Sequence, residues 1–359
     1  MKNITKKIVV LFSLLFLSVS AFAGELSVSG SANASYVVNG GQVNNNDKGL
    51  GISNELMFKA SGELDNGFTW DYHMELDGND SGAHDNDDTA LVIGMGGMGK
   101  FAICDSECGL STETADGIGA VGVGSDFANT ADFTGNAIDI SDYPNVQYHA
   151  PADLLPFGIG FKVGYVPNNS EGDNNSYKNA GVENTAGASG SNETMYQVTA
   201  KPIDGLSLAA DYFTVGGVTG TNVQEAEAGG WAASYALGNF KVGYKERYLA
   251  PNIGTQKISA GGHSYKLTGI GAEIAINDAL SISYSEEEST EKKYGAAVNA
   301  AAGASPFTRT TTSFESTFLM LAYDIGGATV GLTSVESSNS GYVAGADTTK
   351  TLATLAMAF

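Results

Sequence analysis

Cys104 and Cys108 frame the segment Cys-Asp-Ser-Glu-Cys. Thiols four residues apart can be bridged only where the backbone turns, because the Cα atoms must approach within about 7 Å. A disulfide is the expected state in an oxidising compartment, with two free thiols as the alternative; a metal site would need more ligands than stand nearby. The cysteines open a stretch, 104–142, that holds Asp105, Glu107, Glu113, Asp116, Asp126, Asp132, Asp139 and Asp142 and no Lys or Arg. Carboxylates gathered in this way filter ions if they line a pore and are merely solvated if they lie on a surface.

Other chemical signals lose their context on inspection. Gly-Met-Gly-Gly-Met-Gly-Lys at 94–100 approaches a phosphate-binding loop, but Phe101 stands where Ser or Thr is required. Gly-Ile-Gly-Ala-Val-Gly at 117–122 spells a dinucleotide fingerprint with no helix after it. Asn44, Asn46, Gly49 and Glu55 loosely echo a calcium loop, but Lys48 occupies a ligand position. The histidines, His73, His84, His149 and His263, lack metal-ligand spacing, and no nucleophile–base pair stands out. No enzymatic activity, cofactor or metal is expected; acidic loops such as 85–88 could bind divalent cations weakly.

Composition narrows the classes further. The 359 residues carry 18 Lys+Arg against 40 Asp+Glu, a formal charge of −22. Such a chain cannot neutralise a run of phosphates, so nucleic acid is not an expected partner. Past residue 23 no apolar run nears the ~20 residues that a membrane-spanning helix needs. At 42% hydrophobic it is no disordered acidic tail either. Residues 1–23 read as a secretory signal peptide: Lys2, Lys6 and Lys7, an apolar core from Ile8 to Val19, and Ala21-Phe22-Ala23 as cleavage site. Its removal takes away three lysines and raises the acidic excess from 22 to 25. One unit, 24–359, remains.

The elements that must position these residues are strands. Apolar residues recur at every second position, clearest in Phe68, Trp70, Tyr72, Met74 and Leu76 against Thr69, Asp71, His73, Glu75 and Asp77. Side chains on a strand alternate faces, so each segment has one greasy and one wet side. Sixteen segments qualify: 26–38, 52–64, 68–77, 91–95, 101–103, 146–150, 159–165, 196–200, 206–214, 231–237, 240–248, 265–276, 280–284, 314–325, 328–335 and 351–359. Near Gly269-Ile270 and at Leu319 the phase slips, which predicts bulges or apolar residues turned inward.

The connections alternate between seven short turns and eight long, polar, Gly-rich loops. The wet faces read as Ser, Asp, Glu, Lys and Gly almost throughout. Lipid outside and water inside is the arrangement that satisfies both faces, and closure pairs every backbone group. The reading is all-β: a 16-stranded antiparallel transmembrane β-barrel with short periplasmic turns and long external loops.

With its leader, even strand count, outsized third loop and a last strand alternating to Phe359, the sequence resembles the trimeric general porins of Gram-negative bacteria. The resemblance implies an outer-membrane homotrimer, set in lipid by the barrel-assembly machinery, that passes small hydrophilic solutes and ions. It implies that the third loop, 104–142, folds inward, with Asp105, Glu107, Glu113, Asp116 and Asp126 facing basic wall residues across a constriction. It implies too that Phe359 is part of the assembly signal. Alternation independently puts Lys59, Lys100, Lys162, Lys241, Lys245 and Arg247 on lumenal phases. The chain has only two arginines, Arg247 and Arg309, and so departs from the arginine cluster of such relatives. Net charge predicts a cation preference. The competing readings are a barrel whose loops serve adhesion, a substrate-selective channel, and a secreted solenoid or sandwich.

Overall fold

A computed structural model describes residues 26–41, 47–78, 84–105, 108–112, 140–151, 154–167, 192–216, 227–250, 263–295 and 308–359. The expected leader, 1–23, lies outside these residues. The strands are β1 (Leu26–Gly41), β2 (Lys48–Glu63), β3 (Thr69–Gly78), β4 (His84–Gly94), β5 (Lys100–Cys104), β6 (Asn145–His149), β7 (Gly160–Val166) and β8 (Asn192–Ala200). They continue as β9 (Leu206–Gly216), β10 (Glu227–Leu237), β11 (Phe240–Ala250), β12 (His263–Ala275), β13 (Leu280–Gly295), β14 (Thr308–Asp324), β15 (Thr329–Ser338) and β16 (Thr348–Ala358). Each pairs antiparallel with its neighbours in sequence, and β1 pairs with β16 to close a barrel. All sixteen segments read from periodicity are strands of this barrel.

Along β8, β9 and β15 buried and more exposed residues alternate, as lipid outside and lumen inside require. On β12, Ile270 and Ile274 point out while Tyr265 and Leu267 are buried inside. The strands outrun the apolar alternation at their long-loop ends. β13 continues eleven residues past Tyr284, to Gly295, through Glu286, Glu287, Glu288 and Glu291. Above the hydrocarbon a strand needs only its backbone ladder, so hydropathy stops marking it.

Both phase slips are apolar residues turned inward, not bulges. β12 keeps unbroken register with β11 and β13, and on β14 Phe318 and Met320 are buried inside while Leu319 is exposed outside. The one irregular register in the described ladders is between Met74 and Leu76 of β3, against β4.

The closing seam runs from Gly41 opposite Thr348 to Ser31 opposite Ala358, and Phe359 extends it. The Gly30 N–H donates to the Phe359 carbonyl at 2.8 Å and the Phe359 N–H to the Gly30 carbonyl at 2.9 Å. A Cβ on Gly30 would stand 2.7 Å from the Glu55 carbonyl oxygen and 2.8 Å from the Phe359 ring. Gly30→Val therefore forces this seam apart at an expected cost of about 1–3 kcal/mol. The measurement is the temperature of the heat-modifiable shift in electrophoretic mobility, which falls; an unchanged temperature would show that the seam tolerates a side chain.

Candidate functional site: the constricted lumen

The lumen is shaped by a loop drawn onto the inner wall. Cys104 ends β5 and forms a disulfide with Cys108, their Cα atoms 6.0 Å apart. The bridge closes the first turn of the loop as it leaves the wall. Three wall side chains then hold its backbone. Lys162 of β7 donates to the Gly109 carbonyl. Gln197 of β8 donates to the Ser111 carbonyl at 2.7 Å, and Arg247 of β11 to the Thr112 carbonyl at 3.1 Å. The outgoing limb thus crosses from β5 toward β11 inside the barrel.

Between these polar holds lies an apolar shelf. Leu110 and the returning Ile140, both fully buried, pack with Val166, Met195, Phe213 and Leu249 of the wall. The expectation of polar inward faces almost throughout is corrected here: part of the inner wall is apolar because the loop covers it. Gly164 lets the loop approach, since a Cβ there would lie 2.1 Å from the Ile140 side chain and 2.9 Å from that of Leu110. Asn145 of β6 anchors the return, donating to the carbonyls of Ile140 at 3.1 Å and Tyr143 at 2.9 Å.

The last external connection, 339–347, also turns inward, which the sequence reading did not find. Tyr342 packs on Tyr265 and Phe314, at ring distances of 5.4 and 5.9 Å, and its hydroxyl lies 2.6 Å from that of Ser289. Asn339 braces the turn, donating from its amide to the Ser313 carbonyl at 3.0 Å.

The predicted basic residues all sit on inward phases, but most are engaged. Arg247 is 2% exposed and pairs with Asp211 of β9 at 3.3 Å, beneath the loop. Lys245 pairs with Glu287 of β13 at 2.8 Å. Lys241 faces Glu273 across the β11–β12 ladder. Lys59 is the cross-strand neighbour of His73, and Lys100 that of His149. Lys100, Lys162 and Lys241 are the first, third and second residues of their strands, at the short-turn end of the lumen.

Of the predicted acidic side, Asp105 lies one residue past β5, half-buried. Burial first, and the charge of Asp88 second, push its carboxyl above the ordinary aspartate range. Glu107, Glu113, Asp116 and Asp126 lie outside the described residues, as do Asp132 and Asp139. The glycine-rich 117–122 does too, whereas Gly96–Met98 is a tight turn between β4 and β5, as a hairpin requires.

A second acidic group stands on the wall itself. Glu55 of β2 and Glu75 and Asp77 of β3 face the lumen with carboxylate oxygens within 4.8 Å of one another. Ser31 donates to Glu55 at 3.3 Å. The Asp88 charge reaches both Asp77 and Asp105, so the group extends to the foot of the loop. Its signal was present in the sequence: the short turn around Asn66 fixes the hairpin register, and counting outward from it places Glu55 opposite Asp77.

Comparison with known proteins agrees with this architecture. A sequence profile described as Gram-negative porin matches residues 10–305. Among solved structures, OmpT of Vibrio cholerae with its loop L8 deleted superposes at a TM-score of 0.65, with 12% identity over 94% of this chain and 100% of that one. A trimer form of the same protein gives 0.63, 14%, 94% and 100%. Salmonella typhi OmpF in complex with daunomycin gives 0.61 at 11% identity, over 94% of this chain and 98% of that one. No curated protein sequence matches. The structural likenesses concern the fold; the profile, which spans most of the sequence, concerns descent. Taken with the closed barrel and its inward-folded loop, it establishes that the chain belongs to the Gram-negative porin family, channels of the outer membrane.

Proposed function

We propose that this porin is a water-filled channel for passive diffusion of small hydrophilic solutes that prefers cations. The observation that carries the preference is the wall group Glu55, Glu75 and Asp77, with Asp88 beside it. Like charges directly opposite one another destabilise a ladder, so Glu55 against Asp77 is a cost to the fold. In a water column such a group raises the local cation concentration and repels anions. The opposing field is weakened because Arg247 and Lys245 are each paired with a carboxylate. Asp105 and the other loop acids add to the same sign.

The remaining expectations follow the family. The leader 1–23 is cleaved, Phe359 presents the last strand to the assembly machinery, and three copies associate, as in the trimer form of the Vibrio cholerae relative. The test of the main reading is the zero-current potential across a KCl gradient with purified protein in a planar bilayer. A cation-favouring sign that weakens between 0.1 M and 1 M salt is expected, because the Debye length shrinks from about 10 Å to about 3 Å. An anion-favouring sign overturns the reading.

A further inference from the structure

Two inward loops cover one continuous stretch of the inner wall. The third loop lies over β7 to β11, where Met195, Phe213 and Leu249 are fully buried on the inward phase. The last connection, 339–347, extends that cover. Tyr342 packs against the same apolar cluster as Leu110 and Ile140, and Ser289 of β13 and Phe314 of β14 are buried beneath it. On β1, β2 and β3 the inward phase is open instead: Ser29, Ser53, Glu55, Lys59, Ser61 and Asp71 are all exposed. The open wall is the one that carries the carboxylates of Glu55, Glu75 and Asp77.

The connection is built to stay down. The Ser340 N–H donates to the Ala346 carbonyl at 2.7 Å, and the Gly345 N–H to the Asn339 side-chain oxygen at 2.9 Å. Tyr342 has a φ of 62°, a left-handed conformation that costs a residue with a Cβ about 1–2 kcal/mol. Such a conformation persists only where its surroundings fix it. Here the fixing contacts are Tyr265, Phe314 and the Ser289 hydroxyl. Asp347 is the only charged residue of the connection, and Val343 at its tip is exposed. The turn therefore takes room from the water column while adding little field of its own.

We propose that 339–347 is a second constricting element, with Tyr342 as its positioning residue. It closes the β12–β14 side of the lumen and turns passing solutes onto the β1–β3 wall, past the acidic group. This role rests on the open, cation-preferring channel proposed above. The strength of the selectivity then depends on where the last loop lies as well as on the acids. The covered wall holds Glu291, which accepts a hydrogen bond from the Tyr265 hydroxyl at 3.1 Å, and Glu287, paired with Lys245. Uncovering it adds a route that has carboxylates too, so the informative quantity is the share contributed by Glu55, Glu75 and Asp77.

The test uses Tyr342→Gly, which removes the seated ring and suits the positive φ. Its single-channel conductance is expected to rise by roughly half as the turn lifts. In that background, Glu55→Gln, Glu75→Gln and Asp77→Asn together should shift the zero-current potential only about half as far as they do with Tyr342 present, because two routes share the current. A Tyr342 that merely stabilises the barrel would lower the heat-modifiable temperature and leave that shift at full size. Val343→Cys reads the position of the turn without disturbing its seat. The native cysteines are joined to each other, so a bulky charged methanethiosulfonate meets one thiol, and conductance should fall roughly twofold. Unchanged conductance of Tyr342→Gly, a full-size shift, or an unaltered current after labelling at 343 overturns the proposal. An unaltered protein that conducts nothing overturns the channel reading itself, and this role with it.

Discussion

Replacing Glu55 and Glu75 with Gln and Asp77 with Asn is expected to move the zero-current potential of the channel most of the way toward neutrality. The three carboxylates lie within 4.8 Å of each other on a wall that faces water, so an ion passing the group feels them together. In water a unit charge about 8 Å away changes the energy of a monovalent cation by about 0.5 kcal/mol, roughly a twofold change in local concentration. Three such charges multiply to several-fold at low salt, and screening removes most of that near 1 M. The substitutions are nearly isosteric and also relieve the repulsion between Glu55 and Asp77, so the barrel should be no less stable. Glu286→Gln, on the outward phase of β13, is the control and should leave the potential where it was. An unmoved potential in the triple variant would place the group off the ion path.

Arg247→Met is expected to loosen the constriction while leaving the barrel closed. Arg247 is almost wholly buried, and it joins Asp211 to the Thr112 carbonyl, 135 residues away in sequence. Its loss strands the buried Asp211 carboxylate, at an expected cost of about 3–5 kcal/mol. The loop is the part free to respond, because the ladders on either side of β11 are continuous. Single-channel records should become noisier, with a higher mean conductance, and the heat-modifiable shift should move to a lower temperature while the folded form persists below it. Adding Asp211→Asn removes the stranded charge and should recover part of the quiet current. Records as quiet as those of the unaltered protein would mean that Leu110, Ile140, Gln197 and Lys162 suffice to hold the loop.

These two sites differ in how legible they were. The lumenal phase of Arg247 could be read from Phe240, Val242 and Tyr244 on the opposite face, but its burial could not. Burial depends on a loop that returns from β5 to cover it. The apolar shelf was hidden for a related reason: Phe213 and Val215 on the inward phase stand beside the outward Tyr212, so that part of β9 carries large side chains on both phases and shows no inward preference. The wall acids were legible and overlooked, since the hairpin about Asn66 states their register. The inward turn at 339–347 had no signal, because Tyr342 in a polar loop resembles any exposed tyrosine until Tyr265 and Phe314 are seen beneath it.

By itself the sequence determined the architecture. A period of two with lipid-facing residues on one phase, punctuated alternately by short turns and long loops, favours a closed barrel over the solenoid or sandwich that also alternate. Each element of that pattern is local, spanning a strand and its next turn. The character of the passage was decided by the tertiary structure. Whether a lysine lines water or a backbone carbonyl, and whether a carboxylate stands alone or in a group, depends on which distant segments share one small volume. In a closed ring of sixteen strands, β5 and β11 meet only through a loop that crosses the interior, and no periodicity records that crossing.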